Sequence, residues 1–130
     1  MSFGVRGNPV SGKGYKKLRV WEKGNEYALA VYRFTKEFPR EELYGITSQL
    51  RRAALSVALN IVEGQASVSK KDFLNFLNIA NRSLVESEYL LEFSRDLTYL
   101  SDADYEILER SRRELGLLLM AFIRGVRSKL

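Results

Sequence analysis

Apolar residues recur at helical spacing almost without interruption from Leu18 to the C-terminus, and this periodicity constrains the fold more than any other feature. The first apolar stripe advances in alternating steps of three and four residues from Trp21 to Phe38, and Pro39 ends it. No alternating apolar and polar run bounded by turn residues, the pattern typical of a strand, occurs in the sequence. The sequence therefore predicts an all-α protein.

Charged and small residues indicate where the second helix begins and ends. Glu41 and Glu42 follow Pro39 and suit a helix N-terminus, where carboxylates meet the positive end of the helix dipole. The apolar pattern that follows continues to Glu63 and Gly64, and glycine is common where helices end. We therefore predict a second helix from Glu41 to about Gly64.

Two serines predict the starts of the third and fourth helices. Ser69 and Ser101 each precede an aspartate by three residues, Asp72 and Asp104, which is a capping-box-like arrangement. The links between the four helices are about 2–5 residues long, which favours an antiparallel up-and-down four-helix bundle. The third helix, at about 30 residues, would make this bundle a slender rod about 45 Å long. Some of the apolar surface on its flanks is expected to contact a partner subunit.

The N-terminal segment differs from the rest of the chain. Residues 1–15 contain four glycines and one of the two prolines and show no apolar periodicity, so we predict a flexible basic arm there and a bundle domain over 16–130. The stretch GNPVSGKG resembles a phosphate-binding loop. It has Gly14 in place of the required Ser or Thr, and too few residues precede it to form the necessary strand. Nucleotide binding is therefore not expected.

Histidine and cysteine are both absent from the 130 residues. This excludes disulfides, thiolate or imidazole metal sites, and Cys or His nucleophiles. We predict no catalytic residue, no metal and no cofactor, and hence a protein that is not an enzyme. The longest apolar run, LGLLLMAFI, is about half of the ~20 residues that a membrane span needs, and no signal-peptide block opens the chain. A cytoplasmic protein without membrane contact is expected.

A strip of polar side chains interrupts the otherwise apolar second helix. At ~100° per residue the strip falls within about 80° of the helix circumference. Its members are Gln49, Arg52, Ser56, Asn60 and Glu63. The remaining arc is apolar, so the helix is expected to be surrounded by its own bundle and by a neighbouring subunit. Polar groups enclosed in this way must be paired, or each costs about 1–3 kcal/mol.

Two interpretations of the polar strip remain open at this stage. In the first, the strip is a polar network that fixes helix register and subunit contact. Arg52 would then pair with Glu63 or Glu86, and Asn60 with Gln49, Asn78 or Ser83. In the second, Arg51, Arg52 and Asn60 contact a ligand such as a nucleic-acid phosphate.

The same region also carries a family likeness. The run YGITSQLRRAALSVALNIVEG, followed by SKKDFLNFLNIANRSLVESEYLL, resembles the four-helix-bundle proteins encoded in intervening sequences of bacterial large-subunit ribosomal RNA genes. These are similar in turn to the accessory variability determinant (Avd) proteins of diversity-generating retroelements. The likeness covers residues 16 to about 128, and its motif matches Gln49, Arg51, Arg52, Ser56, Asn60, Glu63 and Gly64. Ala58, where many relatives have proline, and Asn81-Arg82, where a small residue is usual, depart from the pattern.

The resemblance implies a homopentameric ring of four-helix bundles with a basic surface and no assigned catalytic residues. It also implies nucleic-acid binding, and in the Avd relatives the ring engages a reverse transcriptase. We carry these over as expectations: a cyclic homo-oligomer, nucleic acid as a partner, and a reverse transcriptase as a possible protein partner.

Charge is distributed unevenly along the chain. Residues 1–19 and 110–130 each have a net charge of +5, whereas residues 20–109 have −5. An up-and-down bundle brings the starts of helices one and three and the ends of helices two and four to one end, which we call the basic pole. Its predicted members are Lys16, Lys17, Arg19, Lys70, Lys71, Arg124, Arg127 and Lys129. The opposite end, the acidic pole, is predicted to hold Glu37, Glu41, Glu42, Asp102, Asp104 and Glu106, with Arg40 as the main counterweight.

In a cyclic ring all basic poles would lie on one rim, and such a rim attracts a polyanion. Because no base-reading motif accompanies the charges, we expect contacts to the nucleic-acid backbone, from the basic pole together with Arg51 and Arg52. A structural adaptor ring that docks a protein partner is the alternative function. A solvated end that only aids solubility and complements the dipole of the fourth helix is the third interpretation.

Overall fold

The computed structural model describes residues 13–130, which contain four α-helices and, over that range, no strand. The helices are α1 (Arg19–Phe34), α2 (Ile46–Gln65), α3 (Lys70–Asp96) and α4 (Asp102–Arg127). Short 3₁₀ segments cover Lys13–Lys17, Thr35–Glu37 and Arg40–Glu42. The predicted all-α class and the predicted number of helices are confirmed for this part of the chain. No helix in it is long and apolar enough to cross a membrane.

The predicted serine caps open both C-terminal helices. The hydroxyl oxygen of Ser69 accepts a hydrogen bond from the backbone N–H of Asp72 at 3.0 Å. Ser101 accepts one from the N–H of Asp104 at 3.1 Å. Each cap satisfies one of the backbone donors that the first turn of a helix leaves without a partner.

The second helix begins five residues later than predicted, at Ile46 instead of Glu41. The backbone of Gly45 is non-helical (φ −110°, ψ −118°), and it separates the 3₁₀ turn at Arg40–Glu42 from α2. Glu42 lies outside α2 but still caps its N-terminus, because its carboxylate accepts a hydrogen bond from the Ile46 N–H at 3.3 Å. A Cβ at position 45 would lie 2.7 Å from that carboxylate oxygen, so glycine leaves room for this cap.

The helices alternate in direction, and α4 packs against α1 to complete the bundle. Near one end the rings of Phe73 in α3 and Phe122 in α4 lie 5.6 Å apart, centroid to centroid. At the other end Phe38, after α1, lies 5.5 Å from Tyr99, before α4. Leucines from α2, α3 and α4 fill the space between these ends and are fully buried. The up-and-down order therefore holds, and the two ends of the molecule are chemically distinct.

Candidate nucleic-acid interface

Cationic side chains from the ends of the chain and from the start of α3 are exposed at the basic pole. They are Lys13, Lys16, Lys17, Arg19, Lys70, Lys71, Arg124, Arg127 and Lys129. Within residues 13–130, none of them forms a salt bridge shorter than 4.0 Å. Three exposed acids, Glu22, Glu63 and Asp72, lie on the same helix ends. The pole is therefore strongly positive.

The Lys13–Lys17 segment adds one cation that the sequence prediction assigned to the arm. This segment is a 3₁₀ turn, and its Tyr15 packs edge-on against Trp21 with 4.9 Å between ring centroids. A Cβ at Gly14 would lie 3.5 Å from the side-chain nitrogen of Gln65, so the turn sits beside the end of α2. Residues 1–12 of the predicted arm, including most of the GNPVSGKG stretch, lie outside the described residues. The apolar periodicity begins only at Leu18, so it gave no signal for this turn.

Helix polarity separates these cations into two groups. Arg124 and Arg127 occupy the last turn of α4, where a positive charge complements the dipole. Arg19 begins α1, and Lys70 and Lys71 begin α3, where a cation meets the positive end of the dipole. Each such placement disfavours the helix by about 0.3–1 kcal/mol at an exposed site. Dipole complementation thus explains only part of the basic pole.

Part of the predicted polar strip forms a hydrogen-bonded group between α2 and α3. The side-chain amide of Asn60 donates to the backbone oxygen of Ser56 at 2.8 Å and to its hydroxyl at 2.9 Å. The Ser56 hydroxyl in turn lies 2.9 Å from the Ser83 hydroxyl of α3. All three side chains are half-buried. Asn60 therefore reaches Ser83, one of its predicted partners, through Ser56.

The other members of the strip do not join this group. Gln49, Arg52 and Glu63 are exposed, and among the described residues their side chains form no hydrogen bond or salt bridge. The expected pairing of Arg52 with Glu63 or Glu86 is absent within the described part of a single chain. The strip is therefore divided into a paired inner part and an outer part that faces solvent.

Arg51 and Arg52 lie far from the basic pole. The Arg51 guanidinium donates to the Thr35 hydroxyl at 2.8 Å and stacks over the Tyr32 ring, 4.9 Å from its centroid. Tyr32 lies in the last turn of α1 and Thr35 directly follows that helix, whose C-terminal end points towards the acidic pole. Because α2 runs from the acidic to the basic pole, its sixth and seventh residues remain in the acidic half. The structure thus does not bring Arg51 and Arg52 together with the other predicted nucleic-acid contacts.

The acidic pole contains the predicted carboxylates, all exposed except half-buried Glu42. Tyr99 donates a hydrogen bond to Glu42 at 2.9 Å, and this bond raises the pKa of the tyrosine above its usual value. The acids do not form a metal site, because residues 13–130 contain no group of three or more such ligands that could hold an ion.

An ion cluster joins α3 to α4 on the inner side of the bundle. Arg112 donates two hydrogen bonds to Glu109, at 2.8 Å and 2.7 Å, and lies 3.4 Å from Glu88 of α3. These hydrogen bonds to Arg112 are the main cause that lowers the pKa of the Glu109 carboxyl. In α1, the buried Tyr27 hydroxyl donates to Ser87 at 2.8 Å, and burial raises its pKa well above the usual range. Arg112 thus has its partners in Glu109 and Glu88, and Tyr27 has its partner in Ser87. Both sets of contacts stabilise the packed bundle.

Comparisons with known proteins agree with this architecture. The family model of the 23S rRNA-intervening sequence protein matches residues 16–121. The chain is also similar to a protein with unknown function from the S23 ribosomal protein family of Bacteroides thetaiotaomicron VPI-5482, whose crystal structure was determined at 1.70 Å. The two share 30% sequence identity with a TM-score of 0.75, over 81% of this chain and 95% of the other. A search of curated proteins gave no match. The extent of the family match, on a four-helix bundle of the same shape, shows that this chain belongs to the 23S rRNA-intervening sequence protein family.

Proposed function

We propose that this protein is a non-enzymatic, oligomeric nucleic-acid-binding module that holds the backbone of RNA or DNA on its basic pole. The observation that carries the proposal is the set of exposed cations at the ends of α1, α3 and α4 and in the Lys13–Lys17 turn, without salt-bridge partners among the described residues. Cations in this state remain available to displace the counterions of a polyanion.

The placement of the cations favours a ligand over a merely soluble surface, and the packing of the nearby aromatic rings bears on which part of a nucleic acid is bound. Arg19, Lys70 and Lys71 lie where the helix dipoles disfavour them, so their positions cost stability instead of adding to it. In addition, Tyr15 and Trp21 pack against each other and are half-buried, which leaves little aromatic surface for base stacking. The pole is therefore suited to phosphates more than to bases.

Assembly would multiply the basic pole. The proposed form is a closed ring, a pentamer by resemblance to the family, that acts in the cytoplasm. All subunits of a cyclic ring point the same way, so the basic poles form one continuous rim. The family name makes ribosomal RNA that carries an intervening sequence the first ligand to test.

Reversing charge at the pole tests the proposal. Lys70→Glu, Lys71→Glu, Arg124→Glu and Arg127→Glu, combined in one chain, should abolish binding to a fluorescent oligonucleotide in a salt titration. For the unchanged protein, the slope of log affinity against log salt should be about −0.9 for each duplex phosphate neutralised. The matched control reverses four exposed cations elsewhere: Arg33, Lys36, Arg40 and Arg110. Equal affinity of the pole variant and the unchanged protein would refute the proposal.

A second candidate function is a structural adaptor that docks a protein such as a reverse transcriptase, as in the Avd proteins that this family resembles. The surface beside the acidic pole supports it, because Tyr44 and its neighbour Leu43 are exposed there together, at 94% and 47%. If a reverse transcriptase gene lies beside the gene for this protein, the encoded enzyme is the partner to test by co-purification. Tyr44→Ala should then release that partner while oligonucleotide binding persists.

A further inference from the structure

We infer that two grooves on neighbouring sides of the bundle are the complementary halves of one head-to-tail contact between copies of this chain. The inference rests on the oligomeric part of the proposed function and deepens it, because it assigns the surfaces that would build the ring. It concerns the sides of the bundle, and its test is independent of nucleic-acid binding at the pole.

The first surface, which we call the cationic groove, lies between α1 and the first half of α2. Its volume is about 410 Å³, and its walls include Tyr32, Tyr44, Ser48, Arg51, Arg52 and Leu55. Leu59, one turn beyond Leu55, extends the groove with a side chain that is 49% exposed. Among the described residues that line it, two are arginines and none is an acid.

The second surface, the acidic groove, lies between the start of α2 and the second half of α3. Its volume is about 290 Å³, and its walls include Glu42, Ile46, Gln49, Tyr89, Phe93 and Leu97. Tyr89 and Phe93 are 63% and 43% exposed. The described lining contains one acid and no base, and the exposed Glu86 lies one turn before Tyr89.

The charges that line the two grooves favour pairing a cationic groove with an acidic groove. Both combine exposed aromatic and aliphatic side chains, which a soluble monomer seldom shows in contiguous patches. Pairing two cationic grooves would bring Arg51 and Arg52 against their own copies, and like charges across an interface are costly. Placing a cationic groove against an acidic groove brings Arg52 towards Glu42 and Glu86 instead. The contact is therefore heterologous, one groove of each kind from each subunit.

The positions of the two grooves on the bundle favour a closed ring over an open filament. Both grooves include residues from the same part of the chain, Glu42 to Leu55, so they overlap along the bundle axis. Subunits joined through them would lie side by side with little axial offset, whereas a helical filament requires an offset at every contact. The two grooves lie on different sides of the bundle, one along α1 and α2 and the other along α2 and α3, so each contact turns the next subunit relative to the one before. Contacts related in this way turn a row of subunits back on itself, and every basic pole then faces the same side.

Complementary disruption tests the inference. One variant carries Leu55→Glu and Leu59→Glu in the cationic groove, and the other carries Tyr89→Glu and Phe93→Glu in the acidic groove. Each variant alone should have the mass of one 14.9 kDa chain by light scattering, because each has lost one half of the contact. An equimolar mixture should give a 1:1 dimer of twice that mass, since one intact groove of each kind remains. Ile107→Glu with Leu117→Glu, on exposed sites of α4, is the control and should leave the wild-type mass unchanged.

All six substituted positions are partly exposed in the single chain, and circular dichroism will verify that each variant is folded. A folded variant that keeps the wild-type mass, a variant that pairs with itself, or a mixture that remains monomeric would overturn the inference. A wild-type protein that is itself monomeric would overturn it as well. Oligonucleotide binding by the pole is measured separately, so the failure of one proposal is distinguishable from failure of the other.

Discussion

At the scale of single residues, two buried helical glycines, one within α1 and one in the last turn of α2, occupy opposite packing environments. A Cβ at Gly24 of α1 would lie 3.6 Å from Ala58 of α2, which is an ordinary van der Waals contact. A Cβ at Gly64 of α2 would lie 2.7 Å from the ring of Phe73 and 3.0 Å from the Cβ of Phe76. Only Gly64 is required by close packing, because α3 approaches α2 there without space for a methyl group.

The two glycines should therefore respond oppositely to alanine. Gly24→Ala should raise the free energy of unfolding by up to about 1 kcal/mol, since alanine favours a helix interior. Gly64→Ala should lower it by about 1–3 kcal/mol, because the methyl group forces Phe73 out of place. Urea denaturation of both variants measures the difference. Equal free energies of unfolding for the two variants would show that α3 moves to accommodate the methyl group at position 64.

At the scale of elements, Arg112 pairs with Glu109 one turn earlier in α4 and contacts Glu88 of α3 at 3.4 Å. The folded chain lowers the pKa of Glu109 below its usual value of 4.5, mainly through the hydrogen bonds from Arg112. The stabilisation is thus present above the pKa of the unfolded chain and is lost as pH falls from about 4.5 through the lower folded value. The Glu109–Arg112 pair within α4 is therefore expected to weaken in acid.

Glu109→Gln tests the contribution of this pair directly. At pH 7 the free energy of unfolding should fall by about 1.5–3 kcal/mol, the usual worth of hydrogen bonds to charged groups. As pH falls below about 4.5 the difference from wild type should shrink, because the carboxyl takes up its proton first in the unfolded chain and only at lower pH in the folded one. Thermal melts at both pH values measure it, with Glu114→Gln as the control at an exposed site of the same helix. A difference that is constant with pH would contradict the ionic account.

The elements themselves were largely predictable from local sequence. Ser69 and Ser101 were identified because a cap depends only on neighbours three residues away. The start of α2 was predicted wrongly, since Glu41 and Glu42 fit a first turn by composition. The actual boundary depends on Gly45 and on a hydrogen bond from Tyr99, more than fifty residues away. Long-range contacts of this kind leave no local signal.

At the scale of the whole molecule, topology alone predicted most of the basic pole. Up-and-down order brings Arg19, Lys70 and Arg127 to one end whatever their rotamers. Arg51 and Arg52 were predicted as nucleic-acid contacts from the polar part of α2 and not from topology, and as its sixth and seventh residues they lie in the other half of the bundle. The two grooves were also missed, since they depend on which flank of α2 each neighbouring helix leaves uncovered. The charge at the ends of a bundle can thus be predicted from the sequence. The surfaces along its sides cannot, because they depend on how the helices pack.

Lengthwise polarity and ring assembly together predict that affinity depends on ligand length. A short oligonucleotide that spans one basic pole should bind the ring and the monomeric Leu55→Glu, Leu59→Glu variant about equally, because each contact uses one subunit. A longer strand reaches several poles on one rim, and each further contact is intramolecular, which can raise affinity by about 10²–10⁴. Its salt slope should steepen in proportion to the phosphates engaged. Fluorescence anisotropy with strands of increasing length measures both quantities, with the Ile107→Glu, Leu117→Glu variant as the control. The affinity of the monomeric variant could instead increase with strand length as much as that of the ring. This result would show that each basic pole binds the strand independently of the others.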